Sequence, residues 1–429
     1  MKVAIYTLGC KVNQYETQAM EQELRARGHE TVPFTGEADA YVVNTCSVTA
    51  ASGQKSRQVI RRVRREHPQA VVGVCGCWSQ TSAPEARALG ADVLGGSGDR
   101  MGFLGMLERA AAERRPLEYI DHPFERRQIE WLPAGGLEGR TRALLKVEDG
   151  CANFCSYCII PYARGPVRSL PMGEAAVQAA ELRAAGYQEI VLTGIEISSW
   201  GRDLHEGLAL IDLVEAVGAA VPGVRLRLGS LEPRTITEEF CQRAAALPDL
   251  CPQFHLSLQS GCDATLGRMR RKYDTARFFR SVELLRRYFR HPAVTTDLIA
   301  GFPGETEEEF RETLDFIRKC GFAKMHIFPY SVRPGTPAAD MEQVPKAVKA
   351  ERARRAAEAA AEMRRAWLED CAGQRYDVLF EQPAGDGLFL GRAPNYAEVL
   401  VKGADLHNTV RPVRITGTDG EVLFGEMEE

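Results

Sequence analysis

Twelve cysteines stand in this chain of 429 residues, and their spacing marks where chemistry is to be sought. Cys151, Cys155 and Cys158 form a C-x3-C-x2-C array in the segment GCANFCSYC. Three thiolates on one short loop ligate three irons of a 4Fe-4S cluster and leave the fourth iron open to a substrate or cofactor. Zinc is the competing metal, but a structural zinc site closes with four ligands, and no fourth Cys or any His lies nearby in the sequence. A second group is dispersed: Cys10 follows the apolar run Val3–Leu8, Cys46 follows Tyr41–Thr45, and Cys75 and Cys77 follow Val71–Val74. In an open parallel sheet the carboxyl ends of the strands share one edge, where ligands bind. Three thiolates meeting there would carry a second 4Fe-4S cluster; the alternative is Cys buried as a small hydrophobe. Cys241, Cys251, Cys262, Cys320 and Cys371 show no ligand spacing and are expected to be buried or incidental.

The elements that must position these cysteines follow from periodicity. Near the N-terminus, apolar runs at Val3–Leu8, Tyr41–Thr45, Val71–Val74 and Val93–Leu94 alternate with helical patterns over Asn13–Arg27, Thr49–Glu66 and a last amphipathic stretch to Arg114. This is the rhythm of a parallel α/β domain. The periodicity lapses in PAGGLEGRTR, between Leu132 and Arg142, which is expected to be a linker or exposed loop. Six further strand signals follow, at Leu144–Val147, Ile190–Leu192, Arg225–Leu228, Gln253–Leu258, Val294–Ile299 and Lys324–Phe328. Each is separated by enough chain for a crossover helix, which predicts an incomplete or partly open (β/α) barrel with the cysteine array behind its first strand. Val344–Cys371 is expected to be one long exposed helix leading away from that barrel. Short alternating runs from Tyr376 to Phe424 predict a small all-β barrel. The fold class is therefore α/β with a small β-barrel appended, and the expected domains are residues 1–135, 136–370 and 371–429.

Composition narrows the function class. Lys and Arg number 54 against 58 Asp and Glu, a net charge of −4, and 45% of residues are hydrophobic, which excludes a disordered or collagen-like chain. No apolar stretch approaches the roughly 20 residues a membrane helix needs, so no membrane partner is expected. The opening MKVAIYTLGC shows no signal peptide, and clustered Cys without one point to a reducing, cytoplasmic compartment. No His/carboxylate constellation is evident, so no general acid/base pair is expected.

The cysteine array, with the aromatic Tyr157 before its last Cys, resembles the signature of the radical S-adenosylmethionine enzymes. That resemblance implies a cluster whose open iron is chelated by the amino and carboxylate groups of S-adenosylmethionine, with reductive release of a 5′-deoxyadenosyl radical. It extends to LTGIEISSWG with Gly194 and Glu196, RLGSLEP with Ser230, HLSLQSG with Gln259, and TDLIAGFPGET with Gly301 and Gly304. Tyr157, Gly194, Glu196, Ser230 and Gln259 are thereby implied as cofactor-binding residues. Read from the residues alone, Glu196 and Gln259 equally suit buried hydrogen-bond networks, and Gly301 and Gly304 a turn.

TLGCKVNQYET, NTCSVT and GCWSQ resemble the N-terminal domain of the methylthiotransferases, radical enzymes that insert sulfur into a C–H bond and methylate it. This implies Cys10, Cys46 and Cys77 as ligands of the second cluster, and it makes the small β-barrel similar to the family's TRAM domain. The third motif usually has one Cys, at the Cys77 position, whereas this chain has CGC, so Cys77 is expected as ligand rather than Cys75. The opening Lys11-Val12-Asn13-Gln14-Tyr15 is similar to the group that acts on N6-threonylcarbamoyladenosine at position 37 of tRNA. Implied partners are the tRNA anticodon stem-loop, an electron donor such as flavodoxin or ferredoxin, and a sulfur source. The same chemistry on isopentenyladenosine or on a ribosomal-protein Asp stays open, as does a non-enzymatic metal-stabilised RNA-binding protein.

Local charge allows an RNA partner. Lys55–Glu66 sums to +5, and the stretch from Cys251 to His291 to +6. Within the latter, Arg268, Arg270, Arg271 and Lys272 are candidate phosphate contacts, with solvated helix faces as the plain alternative. After Cys371 the net charge is −5. Tyr376, Phe389, Tyr396, Arg411 and Arg414 could nevertheless form a stacking face there, or be core.

Overall fold

The computed structural model describes residues 1–135 and 140–428. The expected linker therefore lies partly outside the described residues, at 136–139. Among the described residues, the N-terminal part is a parallel sheet of β1 (Lys2–Thr7), β2 (Glu30–Val32), β3 (Ala40–Thr45), β4 (Val71–Gly76), β5 (Val93–Gly95) and β6 (Leu117–Tyr119), in the order β2-β1-β3-β4-β5-β6. Alternating side chains feed two cores. Val3, Val42, Val71 and Cys75 pack on Met20, Leu24, Phe103 and Leu104, while Ala4, Tyr41, Val43, Val72 and Val74 pack on Val59, Ile60 and Val63. The strand order reverses between β1 and β3, which splays the connections that follow them and leaves a crevice at their carboxyl ends. Cys10 and Cys46 sit at that point.

One expectation is corrected here. β4 runs to Gly76, so Cys75 lies inside the strand rather than after it, fully buried in the first of those cores. Cys77 opens the short helix Cys77–Thr81 and faces the crevice.

The central part follows the predicted strands closely, at Arg142–Lys146, Glu189–Thr193, Arg225–Leu228, Gln253–Gln259, Ala293–Ala300 and Lys324–Pro329, with parallel pairing throughout. The arc is broken after Leu228, where Ser230–Leu231 passes the chain to the second group of strands. Leu145, Ile190, Leu192, Leu226, Phe254, Leu256, Val294 and Leu298 turn outward onto helices and make the largest core. The alternate residues turn inward, among them Arg142, Lys146, Glu189, Arg225, Arg227, His255, Ser257, Thr295, Asp297, Lys324 and His326, with the apolar Leu144, Val191, Ile299 and Phe328 between them. This barrel therefore encloses a polar lumen and not a packed core.

Two helices attend its free edges. Lys11–Ala26 lies along Arg142–Lys146, and Lys346–Glu369 packs on Lys324–Pro329. The second helix does not lead away from the barrel as expected. It buries Ala356 and Ala359 in the barrel's core and pairs Arg352 with Glu305 at 2.9 Å. Its end delivers Leu368 and Cys371 into the core of the C-terminal part.

That part is the predicted small barrel, closed by Arg375–Gly385, Leu388–Arg392, Glu398–Lys402, Leu423–Met427 and Val410–Thr418 in that order. It is fastened to the amino ends of the central strands, opposite the cysteine array. Arg225 Nη1 donates to the carbonyls of Asp377 and Arg392, and Arg227 Nη1 to that of Pro394 at 2.9 Å. The Tyr396 ring takes Arg142, Arg227 and Arg392 at 5.4, 4.7 and 4.6 Å. The proposed stacking face is thus dispersed. Phe389 is core, Tyr396 is spent on this junction, and Tyr376 gives its hydroxyl to His291, while Arg411 and Arg414 are exposed.

Candidate active site

The N-terminal cysteines are drawn together by local geometry. Cys10 is the N-cap residue of Lys11–Ala26, where a thiolate meets the positive end of the helix. Gly9, at φ +106°, lets that loop close on its neighbour, because a Cβ there would fall 2.7 Å from Cys46 Sγ. Asn13 stitches the two strand ends, donating to the carbonyls of Leu8 at 2.7 Å and Thr45 at 2.9 Å. Its Oδ1 accepts from Arg164 at 2.7 Å, and the same guanidinium gives Nε to Cys77 Sγ at 3.2 Å. Cys10 reaches the surface, yet desolvation by its surroundings still raises its thiol against the pull of Arg164, and burial pushes the Cys46 thiol up to about 11.

Arg164 belongs to an ionic cluster buried between the first two parts of the chain. Glu16 accepts from Arg100 at 2.8 Å, from Lys146 at 2.9 Å and from Arg164. Asp149 pairs with Lys146 at 2.7 Å and Arg168 at 3.3 Å. The cations hold both carboxyls well below the usual carboxylate range against the cost of burial. Arg100, Lys146, Arg164 and Arg168 thus gather around Glu16 and Asp149, with Glu130 also in reach of the first two, a cationic surrounding in which thiolate ligands and an anionic cluster would be favoured.

The central array has its own guanidinium. Arg271 donates Nη1 to Cys155 Sγ at 3.1 Å and Nε to Tyr273 Oη at 3.0 Å, with the Tyr273 ring 4.8 Å beneath it. Burial pushes the Cys151 thiol up and the Cys158 thiol to about 12. Loading such a site would therefore release protons. Among the described residues no three Cys, His, Asp or Glu side chains stand close enough to share one metal ion. A four-iron cluster would take its thiolates on separate corners, which asks less of their mutual approach than a shared single ion does.

The strand ends beyond the array carry acids. Glu148 is fully buried, its Oε2 accepts from Glu196 N at 2.7 Å, and Oε1 has no partner; burial holds its carboxyl well above the usual range. Gly194 makes room for it, since a Cβ would fall 2.7 Å from Glu148 Oε2. Glu196 caps the turn Ile197–Ser199, accepting from Ser198 N at 3.1 Å and from the Ser199 hydroxyl, and lies near enough to raise the Cys151 thiol. Glu232, 3% exposed, likewise has an unpartnered Oε1. Buried acids with unspent oxygens suit a ligand bearing ammonium and sulfonium charges, so these residues fit S-adenosylmethionine. Ser230 is exposed to the lumen beside His255, and Gln259 closes its strand at φ +69°. Gly301 and Gly304, at φ +70° and +73°, shape the turn after Ala293–Ala300.

Tyr157, Cys158 and Gln259 line a cavity of about 530 Å³ with Asp297, Ile299, Phe328 and Arg333 on one side and Val48–Ala51, just after Cys46, on the other. Cys158 of the central array lines it, and its N-terminal wall begins two residues after Cys46. Deeper in the lumen stands a group the sequence did not disclose: His255 Nε2 lies 3.3 Å from Asp297, His255 Nδ1 meets Thr295 at 3.0 Å, and the His326 ring is 6.1 Å away. Burial lowers the His326 imidazole; Asp297 opposes this, and His255, Lys324 and Lys11 add to it. These residues are 42 and 29 positions apart, so only strand register could have revealed them.

The expected RNA contacts divide. Arg268 is taken by Glu309 in a bidentate pair, and Arg271 is buried against Cys155, so neither is a surface phosphate contact. Arg270 and Lys272 are exposed, as is the cationic face of Ala50–Glu66 formed by Lys55, Arg61 and Arg65. No helix among the described residues is long and apolar enough to cross a membrane.

Comparison with known proteins places this arrangement. Residues 2–94 match the model of the uncharacterized protein family UPF0004, and residues 145–317 that of the Radical SAM superfamily. The chain is 40% identical over 410 residues to the threonylcarbamoyladenosine tRNA methylthiotransferase MtaB of Bacillus subtilis, covering 94% of this chain and 91% of that one. It is 32% identical over 447 residues to the tRNA-2-methylthio-N(6)-dimethylallyladenosine synthase of Symbiobacterium thermophilum, covering 100% and 94%. The radical S-adenosylmethionine methyltransferase TsrM of Kitasatospora setae shares the fold, with a TM-score of 0.56 at 16% identity, over 90% of this chain and 79% of that one. With both family models matched in order and relatives of 32–40% identity aligned over 94% or more of its length, the chain belongs to the radical S-adenosylmethionine tRNA methylthiotransferase family.

Proposed function

We propose that this protein converts N6-threonylcarbamoyladenosine at position 37 of tRNA to its 2-methylthio derivative. The observation that carries the reading is the cavity walled by Cys158 on one side and, on the other, by Val48–Ala51, which begin two residues beyond Cys46. Its volume lies within the range of pockets that enclose a small ligand. In this reading Cys151, Cys155 and Cys158 hold one 4Fe-4S cluster, Cys10, Cys46 and Cys77 hold another, and residues 1–135, 136–370 and 371–429 act as the three functional units. Bound there, the clusters and S-adenosylmethionine would supply the radical and the sulfur for replacing a C–H bond. The protein's own residues bind and orient. Glu148, Glu196 and Glu232 receive the cofactor's cationic groups, Arg164 and Arg271 fix and polarise one sulfur in each set, and Ile159, Ile299 and Phe328 keep water from the reacting base. An electron donor such as flavodoxin or ferredoxin and a sulfur source complete the cycle in the cytoplasm, with Arg270, Lys272 and the Ala50–Glu66 face meeting the anticodon stem-loop.

The identity to the Bacillus subtilis relative exceeds that to the dimethylallyladenosine synthase, which favours the threonylcarbamoyl substrate. Mass analysis of tRNA nucleosides from cells lacking and regaining this protein tests it. Loss and return of the 2-methylthio form of threonylcarbamoyladenosine is expected; an unchanged profile in cells with no redundant enzyme would overturn the assignment.

A further inference from the structure

One cation in the shared cavity has no counter-ion. Arg333 follows the last barrel strand and lines the cavity wall. Its Nε donates to the Val48 carbonyl at 3.3 Å, and its Nη2 is buried without a hydrogen-bond partner. The charges that reach it are those of the Cys46 thiol and the Tyr330 phenol, and no carboxylate of the described residues pairs with it. The other guanidiniums of the site are engaged: Arg164 holds Glu16 and Arg271 holds Cys155. Val48, Ile159, Ile160, Ile299 and Phe328 make the surroundings apolar, which strengthens any interaction an anion makes there.

A second source of positive potential faces the same wall. The helix Ala50–Glu66 begins at it, with Ala50 N donating to Ser331 Oγ at 3.2 Å. A planar guanidinium with a free nitrogen edge is matched to carboxylates and phosphates, which it binds through paired hydrogen bonds.

We propose that Arg333 is the anion-binding residue of the substrate cavity and takes an oxyanion of the nucleotide that enters it. The inference rests on the reading of this protein as a tRNA-modifying enzyme. The shared chemistry has two sources on such a substrate, the carboxylate of the threonylcarbamoyl group and the phosphate flanking the target nucleoside. Either would fix the base against the two cysteine sets and be lost together with the cation.

The test measures binding of the iron-loaded protein to three fluorescent anticodon stem-loop RNAs. One carries threonylcarbamoyladenosine, the second its methyl ester, and the third a neutral methylphosphonate in place of the flanking phosphate. Wild type is expected to lose about tenfold in affinity with one neutralised RNA, and Arg333→Met about tenfold with the charged RNA but nothing further with that neutralised one. The RNA on which the two losses fail to add identifies the source. Arg333→Lys keeps the charge and is expected to recover part of the affinity, which separates anion binding from misfolding. Equal loss on all three RNAs, no loss on any, or loss of iron by Arg333→Met would overturn the proposal. Failure of the wild type to thiolate the threonylcarbamoyl RNA, with binding differences intact, would instead overturn the proposed reaction.

Discussion

Cys151, Cys155 and Cys158 leave one loop within eight residues, whereas Cys10, Cys46 and Cys77 come from three strand ends spread over 68. The local set needs little beyond its own loop and Arg271, whose partners are a sulfur, a phenol and a carbonyl. The dispersed set needs a sheet to converge and a cation from the next part of the chain, since Arg164 reaches Cys77 only because Glu16 and Asn13 hold it. A site written by spacing tolerates changes elsewhere in the fold. A site written by topology inherits every weakness of the packing that assembles it.

The comparison breaks most visibly by removing one thiol from each set. Cys155→Ala is expected to abolish 5′-deoxyadenosine formation, and Cys46→Ala to spare it while ending methylthiolation, each losing about four of eight irons. Anaerobic iron analysis with nucleoside chromatography checks this, and continued 5′-deoxyadenosine release by Cys155→Ala would refute the division of labour. Glu16→Ala comes next. It leaves Arg100, Lys146 and Arg164 without their shared carboxylate in a region about 1% exposed, for a loss of roughly 3–5 kcal/mol in urea unfolding. A loss below about 1 kcal/mol would reduce the network to the standing of a surface ion pair.

Smaller effects sharpen the contrast. Cys75→Ala, in a closed core, is expected to cost about 1 kcal/mol and keep full iron, while Cys77→Ala loses the second cluster. The reverse result would exchange the two roles. Arg271→Met removes a cationic hydrogen bond from Cys155 Sγ and should lower the reduction potential of the central cluster by on the order of 50 mV, read by potentiometric electron paramagnetic resonance. An unchanged potential would leave Arg271 a packing residue.

Much of this was legible in the sequence because the strands behind both sites are short apolar runs ended by Gly or Cys. What escaped did so for identifiable reasons. Cys75 is followed at once by Gly76, which has no side chain to signal that the strand continues past Val74. Lys346–Glu369 looks exposed because its buried stripe is made of Ala356 and Ala359, and its strongest contact is a buried Arg352–Glu305 pair that hydropathy counts as polar. Arg268 and Arg271 share one basic run, yet a Glu 41 residues away claims the first and a cysteine 116 residues back claims the second. His255, Asp297 and His326 become neighbours only through parallel register.

The contact between Arg164 and Cys77 also bears on the order in which the molecule is made. The three N-terminal cysteines leave the ribosome at least 87 residues before the guanidinium that serves them. At ordinary rates of synthesis that is a delay of roughly 4–17 s. Through that interval the first sheet can fold but its thiols lack their cation and their neighbour Asn13 lacks a partner for its oxygen. The older half of the chain therefore waits for the younger.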